Sequence, residues 1–314
     1  MKKITILLPA YNEEASFPLI AECMEQVKNE NSNYEWEFLM VNDGSTDSTL
    51  QQMAKLHKAD PHYNYIDLSR NYGKEVAMMA GFDYATGDAL IIMDADMQHP
   101  ISVIPKMLKY WEEGYDDVYA QRQSSQESWF KRKSSHCYYK LLQSLTKVPI
   151  QKDTGDFRLL DCSCVEALKQ MREAERNTKG MYSWIGFRKK GIYYQQKGRQ
   201  EGKSKWNSLS LVNLALNGIT SYTTAPLRMA SILGLVVSLV AFVYLIHIIV
   251  VTNLYGEPVQ GYPTIMVTIL FLGGVQLLSL GILGEYLGRV FNETKHRPGY
   301  FINSYNGNRH EIKK

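Results

Sequence analysis

The chain has 314 residues, 45% hydrophobic and 21% charged, enough for one large folded domain with an appendage. Lys and Arg outnumber Asp and Glu by only 35 to 32, which excludes the strongly basic footprint of a nucleic-acid binder. The four cysteines, Cys23, Cys137, Cys162 and Cys164, lack C-x-x-C spacing, so neither a zinc site nor a disulfide framework is expected, and a reducing cytosol fits.

Residues 4–8 form a short apolar run that meets Pro9 and then Asn12-Glu13-Glu14. This is too short for a signal peptide and reads as a buried first strand. Residues 17–27 have helical spacing. Residues 36–41 form a second strand ending at Asn42-Asp43-Gly44-Ser45, and residues 46–57 a helix with Ser or Thr available as its cap. A third strand is expected at 63–68, then a helix over 74–85 stopped by Thr86-Gly87. A fourth strand at 89–93 runs into Asp94, with a helix over 101–113 and a short strand at 117–120 after it. Strands alternating with helices predict an α/β domain with a mostly parallel, Rossmann-like sheet and helices on both faces.

Residues 121–205 are less regular, with a helix expected at 129–145 carrying Lys131, Arg132, Lys133 and Lys140, and a strand at 191–197. Residues 208–221 read as an uncharged interfacial helix at a membrane surface. Residues 229–256 and 258–284 then contain no Asp, Glu, Lys or Arg, and each exceeds the ~20 residues needed to span a bilayer. The loop between them lacks Lys and Arg, whereas Arg228 precedes the first run and Arg289, Lys295 and Arg297 follow the second. The positive-inside rule places both ends in the cytoplasm. Glu285 and Arg289, four apart, can pair at the boundary.

The expected organisation is a catalytic domain over 1–205, an interfacial helix over 206–224, two transmembrane helices over 225–290 and a cytoplasmic tail over 291–314. In open α/β sheets ligands bind beyond the carboxyl ends of the strands. Four polar clusters fall there: Tyr11-Asn12-Glu13, Asp43, Ser69-Arg70-Asn71, and residues 94–98. Asp94 and Asp96, one residue apart after an apolar strand, suit a hard cation such as Mg²⁺ or Mn²⁺ shared with a diphosphate, and Gln98 can add an oxygen ligand.

Pro9-Ala10-Tyr11-Asn12-Glu13-Glu14, Val41-Asn42-Asp43-Gly44-Ser45-Thr46-Asp47, Arg70-Asn71-Tyr72-Gly73-Lys74 and Met93-Asp94-Ala95-Asp96-Met97-Gln98-His99-Pro100 resemble the successive motifs of family 2 glycosyltransferases with a GT-A fold. With Thr154-Gly155-Asp156-Phe157-Arg158-Leu159 and the two C-terminal runs, nearly the whole chain resembles polyprenyl-phosphate glycosyltransferases: bactoprenol glucosyltransferases of the GtrB type and dolichyl-phosphate mannose synthases.

The resemblance implies roles residue by residue. Pro9, Tyr11, Glu13 and Asp43 would hold the nucleobase and ribose. Asp94 would sit on the ribose or diphosphate side, with Asp96 and Gln98 closer to the metal. Lys74 would meet sugar or phosphate, or else face solvent from a first helical turn. Arg122 and Arg132 would bind the acceptor phosphate, for which the planar guanidinium fork is suited. Arg199, Lys203 and Lys205 would belong to a segment closing over the diphosphate. Asp156 would act as a base or orient the acceptor. The implied reaction is inverting, metal-dependent transfer of a hexose from a nucleotide sugar, UDP-glucose first and UDP-N-acetylglucosamine next, to polyprenyl phosphate at the inner membrane face. A homotetramer is the expectation from such relatives. The alternatives are a processive polysaccharide synthase, whose Q-x-x-R-W motif is missing, and a silent sugar-nucleotide or lipid-binding scaffold, against which the intact aspartates argue.

Overall fold

The computed structural model describes residues 1–122, 154–194, 225–255 and 261–309. Strands β1 (Lys2–Ala10) and β2 (Tyr34–Asn42) each end in seven consecutive buried residues, because both faces of the sheet are covered. Within these runs Thr5 and Glu37 satisfy each other: Thr5 Oγ1 donates to Glu37 Oε2 at 2.6 Å. Thr86 donates to the same carboxylate through its backbone amide and its hydroxyl.

β3 (Tyr63–Leu68) and β4 (Ala89–Ile92) complete a parallel centre in the order β3-β2-β1-β4. Alternate residues of β1 face different layers. Ile4, Ile6 and Leu8 pack with α1 (Phe17–Glu30), α2 (Thr49–Ala59) and α4 (Ile104–Glu112). Leu7 packs with α3 (Lys74–Tyr84), α5 (Cys162–Gln170) and α6 (Thr178–Trp184). This is the expected arrangement of helices on both faces.

Beyond β4 the sheet becomes mixed. β6 (Thr154–Asp161) runs antiparallel to β4 and to β5 (Asp117–Arg122), and β7 (Lys189–Tyr194) pairs parallel with β5. At the other edge, β8 (Ile302–Tyr305) pairs antiparallel with β3 and turns into β9 (Asn308–Arg309). The segment expected as a tail over 291–314 thus contributes strands to the sheet. The helix expected from residue 101 opens as a 3₁₀ turn, Ile101–Val103, before α4 with its Pro105 in the first turn. The helices expected at 129–145 and 208–221 lie outside the described residues.

A second compact unit, Ser208–His296, contains two long helices, α7 (Ala225–Tyr255) and α8 (Tyr262–Thr294), which pack on each other. Among the described residues, one helical stretch, Phe271–Thr294, is long and apolar enough to cross a membrane, with mean hydropathy 1.3. Met229–Tyr244 is a shorter apolar stretch, so the first expected span is not matched at full length among the described residues. α8 continues past Gly284, and Glu285 and Arg289 pair along it at 3.0 Å.

Candidate active site

The carboxyl ends of β1, β2 and β4, with the first turn of α3, enclose a cleft of about 370 Å³. Pro9, Tyr11, Glu13, Asp43, Lys74, Asp94 and Asp96, all singled out in the sequence, line it together with Asn71, Gly73 and Ala77. Parallel strands bring their loops to one end, so residues far apart in the chain meet there.

Asp43 staples the next loop. Its Oδ1 accepts from the Tyr72 amide at 2.7 Å and its Oδ2 from the Gly73 amide at 2.9 Å. Burial pushes the Asp43 carboxyl up, while the two amides and then Arg70 oppose the rise. Gly44 is required beneath it: its φ is +66°, and a Cβ would lie 2.4 Å from the Arg70 backbone carbonyl carbon. In the first loop Asn12 adopts φ 54°, donates its amide to Ser45 Oγ at 3.0 Å and accepts from the Thr46 amide at 2.8 Å. Burial pushes Glu13 up; the Ser16 hydroxyl opposes this, and the negative charges of Asp96, Asp47 and Asp94 add to it.

Lys74 Nζ lies 2.5 Å from Asp94 Oδ1 and 2.6 Å from Asp156 Oδ2, joining α3, β6 and the end of β4. The other Asp94 oxygen faces His99 Nε2 at 3.3 Å. His99 is buried, stacked on Phe157 at 4.7 Å, with its Nδ1 3.1 Å from the Tyr194 hydroxyl. Burial alone would raise Asp94, but His99 and Lys74 hold its carboxyl well below the usual range. Burial would lower Lys74, but Asp156 and Asp94 hold it well above the usual lysine range. Asp156 Oδ1 is buried and has no hydrogen-bond partner among the described residues.

Asp96 is exposed, and its Oδ1 accepts from the Gln98 amide at 3.1 Å, so Gln98 meets Asp96 through its backbone. Arg122, exposed at the end of β5, has Nη2 about 4.0 Å from the position a Cβ on Gly155 would take, next to Asp156. Arg132, Arg199, Lys203 and Lys205 lie outside the described residues.

Among the described residues no three His, Cys, Asp or Glu side chains are grouped to hold a metal by themselves. Both Asp94 oxygens face cationic or hydrogen-bonding neighbours, whereas Asp96 is exposed and lines the cleft. That donor set fits a cation of the Mg²⁺ type, which takes one or two carboxylates and completes its shell with substrate phosphates and water.

Sequence reasoning quoted His99 only as part of a motif. Its contact with Asp94 needs Phe157 and Tyr194 from other strands. Also unforeseen was a buried pair behind Asp156: Arg158 Nη1 donates to Asp117 Oδ2 at 3.0 Å, with the guanidinium 3.7 Å from the Tyr182 ring centre.

Residues 5–169, just over half of the chain, match the family described as Glycosyl transferase family 2, and residues 225–290 match one described as the GtrB C-terminal hairpin. The chain belongs to glycosyl transferase family 2 and is a glycosyltransferase with a GT-A fold. It is 42% identical over 301 residues to the prophage bactoprenol glucosyl transferase homolog of Escherichia coli (strain K12), covering 96% of this chain and 98% of the relative. It is 42% identical over 303 residues to the bactoprenol glucosyl transferase of Shigella phage SfX, covering 96% and 99%. A solved mannosyltransferase of Pyrobaculum calidifontis, in complex with GDP-Man and Mn²⁺, is 14% identical with TM-score 0.46, covering 89% of this chain and 87% of that one.

Proposed function

We propose that the protein transfers glucose from UDP-glucose to a polyprenyl phosphate at the cytoplasmic face of a membrane, with inversion at the anomeric carbon. The observation that carries this reading is the 42% identity, over nearly the full length of both chains, to proteins named bactoprenol glucosyl transferase. The match of residues 225–290 to the GtrB C-terminal hairpin supports membrane anchoring through α7 and α8, and Arg228, Arg289, Lys295 and Arg297 flanking the apolar runs support cytoplasmic ends. The cleft and its acidic lining support a nucleotide-sugar donor.

In this reading Pro9, Tyr11, Glu13 and Asp43 hold the nucleoside. Asp96, with Asp94 and Gln98, would hold a divalent cation, which would supply positive charge to neutralise that developing on the leaving group. An acceptor phosphate oxygen forms a bond to the anomeric carbon as the bond to the UDP oxygen breaks, and UDP departs with the electron pair. The acceptor is already largely ionised near neutral pH, since the second pKa of a phosphate monoester is ~6. Asp156 therefore orients rather than deprotonates. It fixes Lys74, whose ammonium supplies positive charge between donor and acceptor. Arg122 and Arg132 gather the acceptor phosphate, and Arg199, Lys203 and Lys205 close over the diphosphate.

The test offers the purified full-length chain undecaprenyl phosphate with a panel of UDP- and GDP-sugars, and reads the lipid product by mass spectrometry. The expected product is a single hexose on the lipid phosphate, formed from UDP-glucose and dependent on Mg²⁺ or Mn²⁺. Absence of any glycosylated lipid, or a ladder of longer glycans, would overturn the reading.

A further inference from the structure

Residues 299–309 return to the catalytic sheet after α8 in the chain. Tyr300 donates its hydroxyl to Asp83 Oδ2 at 2.6 Å, and the Ser69 amide donates to the Phe301 carbonyl at 2.9 Å. β8 pairs with β3, and the Asn306 side chain accepts from the Tyr65 amide at 2.8 Å. These contacts attach the segment and close an open sheet edge.

Asn303 does something more. Its Nδ2 donates to Asp67 Oδ2 at 3.2 Å. The other oxygen of Asp67, a buried carboxylate, accepts from Asn42 Nδ2 at 2.7 Å. Asn42 Oδ1 accepts from the Ser45 amide at 3.2 Å, closing the turn that contains Asp43 and Gly44. Ser45 Oγ accepts from the Asn12 amide at 3.0 Å, between the cleft residues Tyr11 and Glu13. A continuous chain of hydrogen bonds runs from the C-terminal strand to two loops of the cleft. A buried carboxylate that loses one of two amide donors is left short of a hydrogen bond, a cost that a shift of its remaining partner relieves.

We propose that Asn303 is a positioning residue for the donor: through Asp67 it sets the turn at residues 42–45 and, through Ser45, the loop at residues 11–13. The segment following the membrane hairpin is thereby part of the donor site and not only an edge cover. The proposal rests on the reading of the cleft as a nucleotide-sugar site.

The experiment compares Asn303→Ala with Tyr300→Phe in the full-length protein. Asn303 is exposed, so its replacement leaves the packing intact, and Tyr300→Phe loosens the same segment without touching Asp67. Two readouts are taken: steady-state kinetics with UDP-glucose and undecaprenyl phosphate, and amide hydrogen exchange of the donor-free protein. Asn303→Ala should raise the donor KM roughly five- to tenfold, the scale of one hydrogen bond, with kcat and acceptor KM within about twofold. Exchange at residues 11–14 and 42–46 should quicken, and Tyr300→Phe should do neither. Equal KM rises in both variants, or unchanged exchange at those residues in Asn303→Ala, overturn the proposal. If wild-type protein turns over no nucleotide sugar, the proposed function fails, while the exchange readout still decides the role of Asn303.

Discussion

Lys74 and Asp156, 82 positions apart, are joined at 2.6 Å, and this contact ties the first turn of α3 to the antiparallel strand β6. The same ammonium reaches Asp94, so one lysine pairs with two carboxylates.

Replacing Lys74 by Met should lower transfer by about 100-fold or more, because the two carboxylates lose their shared cation in the place where charge develops. The Lys74 side chain is 41% exposed, so solvent screening keeps its effect on stability small and the loss falls on turnover. The signs of the pH dependence follow from the two shifts. Lys74 is raised, so its contribution to stability is full below the ordinary lysine value of ~10.4 and is lost as pH rises through the folded value. Asp94 is lowered, so its contribution is full above ~3.9 and is lost as pH falls through the folded value. Urea unfolding across pH should show a slightly smaller alkaline loss in Lys74→Met than in the wild type.

His99→Phe keeps the stack on Phe157 but removes the hydrogen bonds to Asp94 and Tyr194. Losing an influence that lowers Asp94 should raise its pKa, so the acid limb of the pH–rate profile should move to higher pH. Turnover near neutrality should drop about tenfold, within the range for a perturbed electrostatic group. An unmoved acid limb would show that His99 does not tune Asp94.

Asp96→Ala removes an exposed carboxylate from the cleft lining, the one proposed to hold the cation. Transfer should fall by roughly 10³ or more and stay low when Mg²⁺ or Mn²⁺ is raised tenfold, since the missing ligand is not replaced by mass action alone. Wild-type turnover in this variant would remove Asp96 from the metal site.

Arg158→Met should destabilise the catalytic domain by about 3–5 kcal/mol, the usual cost of leaving one buried charge without its partner. Arg158 and Asp117 are 1% and 0% exposed, and burial already pushes the Asp117 carboxyl up against the pull of Arg158 and Lys189. Chemical denaturation with near-UV circular dichroism would measure the loss. A change below about 1 kcal/mol would show that Lys189, 3.9 Å from Asp117, suffices as its partner.

Much of the fold was legible in the sequence. Continuous apolar runs marked β1 and β2, and helical spacing marked α1 to α4, because burial on two faces or on one stripe leaves a local period. β6 coincides with a motif whose mix of Gly155, Asp156 and Arg158 hides a strand; its charged side chains pair with distant Lys74 and Asp117. β8 was missed because Ile302–Tyr305 carries Asn and Ser and owes its extended form to pairing with β3. The predicted cleft residues from β1, β2, α3 and β4 did converge.

By itself, the sequence determined the alternation of elements, the polar clusters at strand ends, the Asp94-Ala95-Asp96 pair and the uncharged C-terminal runs, since each is a property of neighbouring residues. Only the tertiary structure decided what those groups touch. Lys74 stands between Asp94 and Asp156, His99 is wedged among Phe157, Tyr194 and Asp94, and Asn303 reaches Asp67, because the sheet order places β6 beside β4 and β8 beside β3. Charge pairing and hydrogen bonding act over a few ångströms of space whatever the separation along the chain, and no local pattern encodes which distant strand will supply the partner.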